Sequence, residues 1–229
     1  MPDQSDHTDA TTPERAEAAK PETTARSGDV TEADGAASAT AGDNEATAQL
    51  GALAAETAAE AAEFCAAVRE LATGAAPDAA IPLLLLLIAQ LQVTGARLGA
   101  IQDVVLVERF EPDPGPEDTL DALRMALANL FDGIDDYADV VDPVTSVEPA
   151  RGALSDDLAE IVGALEHGLL HYQRGRTIEA MWWWQFSYLS QWGVRASAAL
   201  RVLQTILGHL RLDADDQVVA DAEFAALHP

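Results

Sequence analysis

Three adjacent tryptophans, Trp182, Trp183 and Trp184, lie in the stretch MWWWQFSYLSQWG (Met181–Gly193), and Trp192 is the fourth and last in the chain. On a helix successive side chains turn by roughly 100°, so three consecutive indoles point three ways and no single core face takes them all. In that projection Met181, Gln185, Trp192, Ala196, Ala199, Leu203, Ile206, Leu207 and Leu210 form one broad stripe. Trp182, Phe186 and Leu189 fall on one flank of it, Trp184 and Tyr188 on the other. Trp183 points away, on the side of Ser190 and Arg201. The run therefore requires either a helix enclosed by neighbours all round, or an aromatic surface that serves docking or lines a pocket. Gln185, Ser187, Ser190 and Gln191 add to the question, because buried polar groups need partners and a ligand can be one.

The rest of the chain also reads as helices. Leu50, Leu53, Thr57, Ala61, Phe64, Val68 and Leu71 alternate three and four apart, a first amphipathic helix that Thr73-Gly74 ends. A second starts near Asp78 with Pro82 in its first turn. It is apolar on every side from Ile81 to Ala89, which places it centrally, and Gln90, Thr94 and Arg97 line one face of it. The prolines of ERFEPDPGPE make an irregular connection from Gln102 to Glu117. A third helix carries Leu120, Leu123, Leu127, Leu130 and Phe131, and its pattern resumes after Gly133 through Ile134, Tyr137 and Val141 to Asp142-Pro143. Ser155 reads as the cap of a helix with Asp156 and Asp157 in its first turn, running to Arg174 and stopping at Gly175. Thr177 then opens the longest helix, to about Leu212, with Gly193 as its kink or close-packing point. The reading is an all-α bundle of about five to six helices over residues 46–212. Residues 1–45, poor in large apolar side chains, read as a disordered acidic tail. Residues 213–229 read as a second acidic tail with a short helix at most.

The formal net charge of −26 repels phosphates and anionic lipid, so neither nucleic acid nor a membrane is the expected partner. No basic segment followed by an apolar run opens the chain, and the run Ala79–Ala89 is about half a bilayer span. A cytoplasmic protein is expected. The one cysteine, Cys65, sits in an apolar stretch and reads as a small buried hydrophobe.

Sites of chemistry are few. His167 and His171 are four apart with Glu160 on the same face, a metal-like spacing, but that face lies away from Leu158, Ile161, Val162, Leu165 and Leu169 and reads as solvated. Asp132, Asp135, Asp136, Asp139 and Asp142 make an acidic helix side without the loop of a calcium hand. Arg97 ends an apolar helix and either pairs with Asp142 or Asp157 or receives an anionic ligand. No phosphate loop, nucleophile elbow or cysteine pair is present, so no cofactor, metal or catalytic residue is assigned.

Four stretches together resemble a family of uncharacterised bacterial proteins, domain-of-unknown-function family 5063. They are GARLGAIQDVV (Gly95–Val105), ERFEPDPGPE (Glu108–Glu117), SDDLAEIVGALEHGLLHYQRGRTIEA (Ser155–Ala180) and MWWWQFSYLSQWGVRASAALRVLQ (Met181–Gln204). YADVVDPV is similar to the family's tyrosine-to-Asp-Pro turn, with Val144 in place of an aromatic. The resemblance implies an all-helical domain and brings no reaction, ligand or functional residue. The function expected is a non-enzymatic interaction or scaffold module, meeting a protein partner or a second copy through the aromatic helix at Trp183. The alternative is a small-molecule-binding protein or enzyme, its pocket walled by Trp182, Trp184, Tyr188 and Trp192 with Arg97 at the polar end.

Overall fold

A computed structural model describes residues 31–106, 117–140, 144–145 and 148–212, with side chains described from 45 onward in the first helix and from 120 onward in the third. The connection 107–116, Asp142, Pro143 and the C-terminal segment 213–229 lie outside the described residues, as do the first 30 residues of the expected acidic tail. The chain divides between Glu45 and Ala46, and the packing below concerns the second unit, Ala46–Pro229.

The protein is all-α in its core. The helices are α1 (Thr31–Ala72), α2 (Pro77–Ala100), α3 (Glu117–Leu130), α4 (Leu154–Gln173), α5 (Thr177–Ser187) and α6 (Gly193–Leu212). A π-helical turn, Tyr188–Trp192, joins α5 to α6, so the long C-terminal helix runs without a loop but carries one widened turn next to Gly193. Helix α1 begins at Thr31, earlier than the reading near Ala46; this segment is alanine-rich, and alanine is the strongest helix former. Its stripe is buried as expected, from Leu53 through Phe64 and Val68 to Leu71. The helix ends at Gly74, whose φ of +74° suits glycine. Across the interior, Arg69 of α1 donates to both carboxylate oxygens of Glu166 on α4 at 2.8 and 2.9 Å.

Two expectations are corrected. The pattern after Gly133 is not helical: β1 (Asp136–Val140) and β2 (Pro149–Ala153) form an antiparallel hairpin, with Tyr137 opposite Gly152 and Ala138 opposite Arg151. Gly133 adopts φ +83° and turns the chain out of α3, and alternate residues of β1 then face the body of the protein. Nor is Ser155 the cap of α4. Asp135, just before β1, accepts from the Ser155 backbone N–H at 2.8 Å and from its hydroxyl at 2.7 Å, so the helix is capped across the hairpin.

Helix α2 differs most from its reading. It buries one face, Ala80, Ile81, Leu84, Ile88, Leu91, Gly95 and Leu98. The opposite face carries Leu83, Leu86 and Val93 at 45, 61 and 62 % exposure. By length and composition this helix passes the test for a membrane span, with a mean hydropathy of 1.9, yet only 39 % of its apolar window is buried. Its apolar character is therefore split between the core and an uncovered surface.

Candidate functional site

The tryptophans separate as the projection requires, but two of them turn to one helix. Trp184 is fully buried over Gly168 and donates its indole N–H to the Leu165 carbonyl at 3.2 Å. Trp183 donates to the preceding carbonyl, Ala164, at 2.8 Å, and its ring lies 4.1 Å from that of His167. Neighbouring indoles thus take neighbouring carbonyls of α4, and Trp183 is half-buried rather than directed away. Trp182 turns to the other side and stacks on Phe186, with rings 5.3 Å apart and parallel within 2°. Trp192 is buried with Tyr188 against Gly95 of α2, where a side chain would meet both rings. Among the described residues its indole N–H is the one buried side-chain polar group without a partner.

Gln185, Ser187 and Ser190 are satisfied by the chain itself. The buried Gln185 closes the C-terminus of α2: its amide donates to the carbonyls of Leu98 at 3.0 Å and Gln102 at 3.3 Å, and its oxygen accepts from Val104 N–H at 2.8 Å. Carbonyls left without helical partners are thereby answered by a side chain. Ser187 and Ser190 donate to carbonyls one turn back. The walls expected of an aromatic pocket do not meet around a common space. Trp184 faces α4, Tyr188 and Trp192 face α2, and Trp182 lies with Phe186.

Arg97 does not reach Asp157. It pairs with Glu56 of α1 at 2.6 Å, both half exposed, on the edge of an apolar cavity of about 890 Å³ that includes Leu50, Leu53, Ile101 and Val104. The histidine face is not solvated either, because α5 covers it. His171 is buried, 3.0 Å from Glu179 through Nδ1 and 3.3 Å from Nε2 of His167 through Nε2. Glu160 instead lies near Arg124 of α3. No group of three or more metal-ligating side chains is found among the described residues.

A second cavity, of about 870 Å³, lies between the hairpin and the start of α6. Its floor is the buried Asp157 in the first turn of α4. The Tyr137 hydroxyl donates a short hydrogen bond to one Asp157 oxygen, and Arg195 of α6 donates to the other at 2.9 Å. Burial pushes the Asp157 carboxyl up from its ordinary value, while Tyr137 and Arg195 pull it partly back. The Tyr137 phenol is also raised, first by burial and then by the Asp157 bond. Arg201 pairs with Asp139 of β1 at 2.6 Å on the cleft's edge, and Arg151 of β2 completes three arginines in one concave surface. No motif marks this group in the sequence. The signal was there: Asp157 stands on the burying stripe of α4 with Leu154, Leu158 and Ile161, and a carboxylate on an apolar stripe requires a partner.

The family model described as Domain of unknown function (DUF5063) matches residues 49–209. No curated protein matches the chain. Protein BF1032 from Bacteroides fragilis, known from a crystal structure, is similar in fold: the TM-score is 0.55 at 19 % identity, over 70 % of this chain and 93 % of that one. The chain belongs to the DUF5063 family.

Proposed function

We propose that this DUF5063 member is a protein-interaction module whose docking face is the outer side of α2, and that the occupant is a second copy of the chain. The observation carrying this reading is the uncovered apolar surface. Leu83, Leu86, Gln90 and Val93 are spaced three and four apart on it, the spacing of a helix-packing seam, flanked by exposed Ala89 and Ala96. Leu189, 59 % exposed, sits beside Gly99 on the side of α2 that meets the π turn and lies off this face. In this reading the docking role expected of the aromatic helix at Trp183 passes to α2.

A second copy fits better than a basic partner. The chain as a whole carries −26 charges, yet α2 has no charged residue between Asp78 and Arg97. A basic partner finds nothing on this face to pair with. Two copies packed antiparallel about a two-fold axis near Ile88 set Leu83 against Val93 of the other copy. Arg97 at the end of this stretch is already paired with Glu56, so the contact itself is uncharged, and the strongly acidic surfaces stay outside it.

Sedimentation velocity of the full chain tests it. The expected result is a concentration-dependent species of about twice the 24.2 kDa chain mass. Leu86→Glu removes one apolar contact from each copy, about 1.5–3 kcal/mol apiece, and is expected to weaken dimerisation by at least 100-fold with the thermal midpoint of the monomer unchanged. A wild-type chain that stays monomeric at about 100 μM while binding neutral vesicles assigns α2 to a membrane surface and overturns the reading. A monomer that binds no vesicles, or a dimer unaffected by Leu86→Glu, overturns it equally.

A further inference from the structure

We propose that the cleft between the β1–β2 hairpin and α6 binds a small organic oxyanion, a carboxylate or a phosphate ester, held by Arg151, Arg195 and Arg201. Acidic residues outnumber basic ones 39 to 13 in this chain, and arginines are expected to be dispersed and paired. Here three of them line one concavity with two aspartates. Both aspartates are already engaged, Asp157 by Tyr137 and Arg195, and Asp139 by Arg201. Arg151 makes no ion pair with any described residue. The cleft therefore holds one arginine more than it has carboxylates, a surplus that favours anions on an otherwise strongly anionic molecule.

Two of the three arginines are also held in place. A guanidinium carries five N–H donors, and the described hydrogen bonds engage one nitrogen of Arg195 and one of Arg201. Asp157, only 3 % exposed, fixes Arg195 at 2.9 Å, and Tyr137 fixes Asp157 from the far side. The remaining donors are oriented before any ligand arrives, so little side-chain freedom is lost on binding. Val140 and Val194 supply an apolar wall for the body of the ligand, and about 870 Å³ lies in the size range of small-molecule sites. The planar forks suit the paired oxygens of a carboxylate or phosphate.

The test is calorimetric titration of the full chain at constant ionic strength with two probes, succinate and glycerol 3-phosphate. Saturable one-site binding of at least one probe at millimolar concentration is expected, and the stronger probe identifies the oxyanion. Arg151→Gln and Arg201→Gln, both at exposed positions, are each expected to weaken it at least tenfold, while Arg211→Gln at the end of α6 leaves it unchanged. Binding that is absent for both probes, or that survives Arg151→Gln and Arg201→Gln, overturns the proposal. No residue of the cleft lies on the α2 face, so Leu86→Glu is expected to titrate like the wild type, and either reading can fail alone.

Discussion

The same substitution, glycine to alanine, is expected to have opposite effects at two helical positions. Gly51 lies in α1, exposed, with nothing within 4 Å of where a Cβ would stand. Alanine there reduces the freedom of the unfolded chain and improves helix propensity, a gain of about 0.5–1 kcal/mol. Gly168 lies in α4 directly beneath Trp184. A Cβ there would stand 2.5 Å from Cδ1 and Cε2 of the indole and closer still to its Nε1. The ring is fully buried and cannot move outward without giving up its hydrogen bond to Leu165. Overpacking costs about 1–3 kcal/mol and the lost bond about 1 kcal/mol; the helix-propensity gain of at most about 1 kcal/mol offsets part of this. Gly168→Ala is thus expected to destabilise by about 1–3 kcal/mol and Gly51→Ala to stabilise. Urea unfolding followed by tryptophan fluorescence reads both, and with a slope of about 1–3 kcal/mol/M the two midpoints separate by about 0.5–4 M. Equal midpoints, or a stabilised Gly168→Ala, would refute the placement of Trp184 over α4.

Two further outcomes follow from buried titratable groups. Because burial raises the Asp157 carboxyl, the folded chain keeps this proton to a higher pH than the unfolded chain does. That contribution is fully present below the unfolded value of about 4 and is lost as pH rises through the folded value. The stability difference between wild type and Asp157→Asn is therefore expected to be larger near pH 4 than at pH 7. The other carboxylates are common to both chains, and urea unfolding at both pH values that shows the reverse order sinks this reading. Cys65, buried between α1 and α4, has its thiol pushed up to about 12, chiefly by burial and then by Glu166. At pH 8 its thiolate fraction is about 10⁻⁴, so a chromogenic disulfide reagent is expected to react only after denaturant is added. Native-state reaction within minutes means that α1 opens from α4.

The helices were legible because their signals are local. The stripe from Leu53 to Leu71, the glycine stops at Gly74 and Gly175, and the stripe from Met181 to Leu203 all reappear in the structure. What was illegible depends on contacts far apart in sequence. The hairpin is too short to announce itself by alternation, and it is held by Tyr137 on Asp157 and by Asp135 capping α4. The all-round apolar surface of α2 predicts burial without saying by what, and part of it is left uncovered. A projection of α4 alone sends the histidines to solvent and does not show that α5 folds back over that face through Glu179 and Trp183.

The tryptophan run looked like the functional feature because it exceeds what one core stripe takes. Its geometry explains the excess differently. A helix that turns back on α4 through the short Arg174–Arg176 connection needs an anchor near its start, and Trp183 and Trp184 supply two adjacent indole hydrogen bonds there. The π turn follows at Tyr188–Trp192, where Tyr188 and Trp192 press against α2 and carry the contact from one neighbour to the other. Beyond that turn α6 presents Arg195 and Arg201 to the hairpin, and its Ser197 receives Gln92 of α2 at 2.6 Å. The aromatic segment thus fixes where α6 begins, and with it the spacing between Arg195 and the hairpin. If so, Trp183→Phe, which keeps an aromatic ring but removes the bond to Ala164, is expected to lower stability by about 1 kcal/mol or somewhat more while leaving sedimentation and oxyanion titration unchanged. A Trp183→Phe chain that keeps wild-type stability but loses dimerisation would return the docking role to Trp183 and take it from α2.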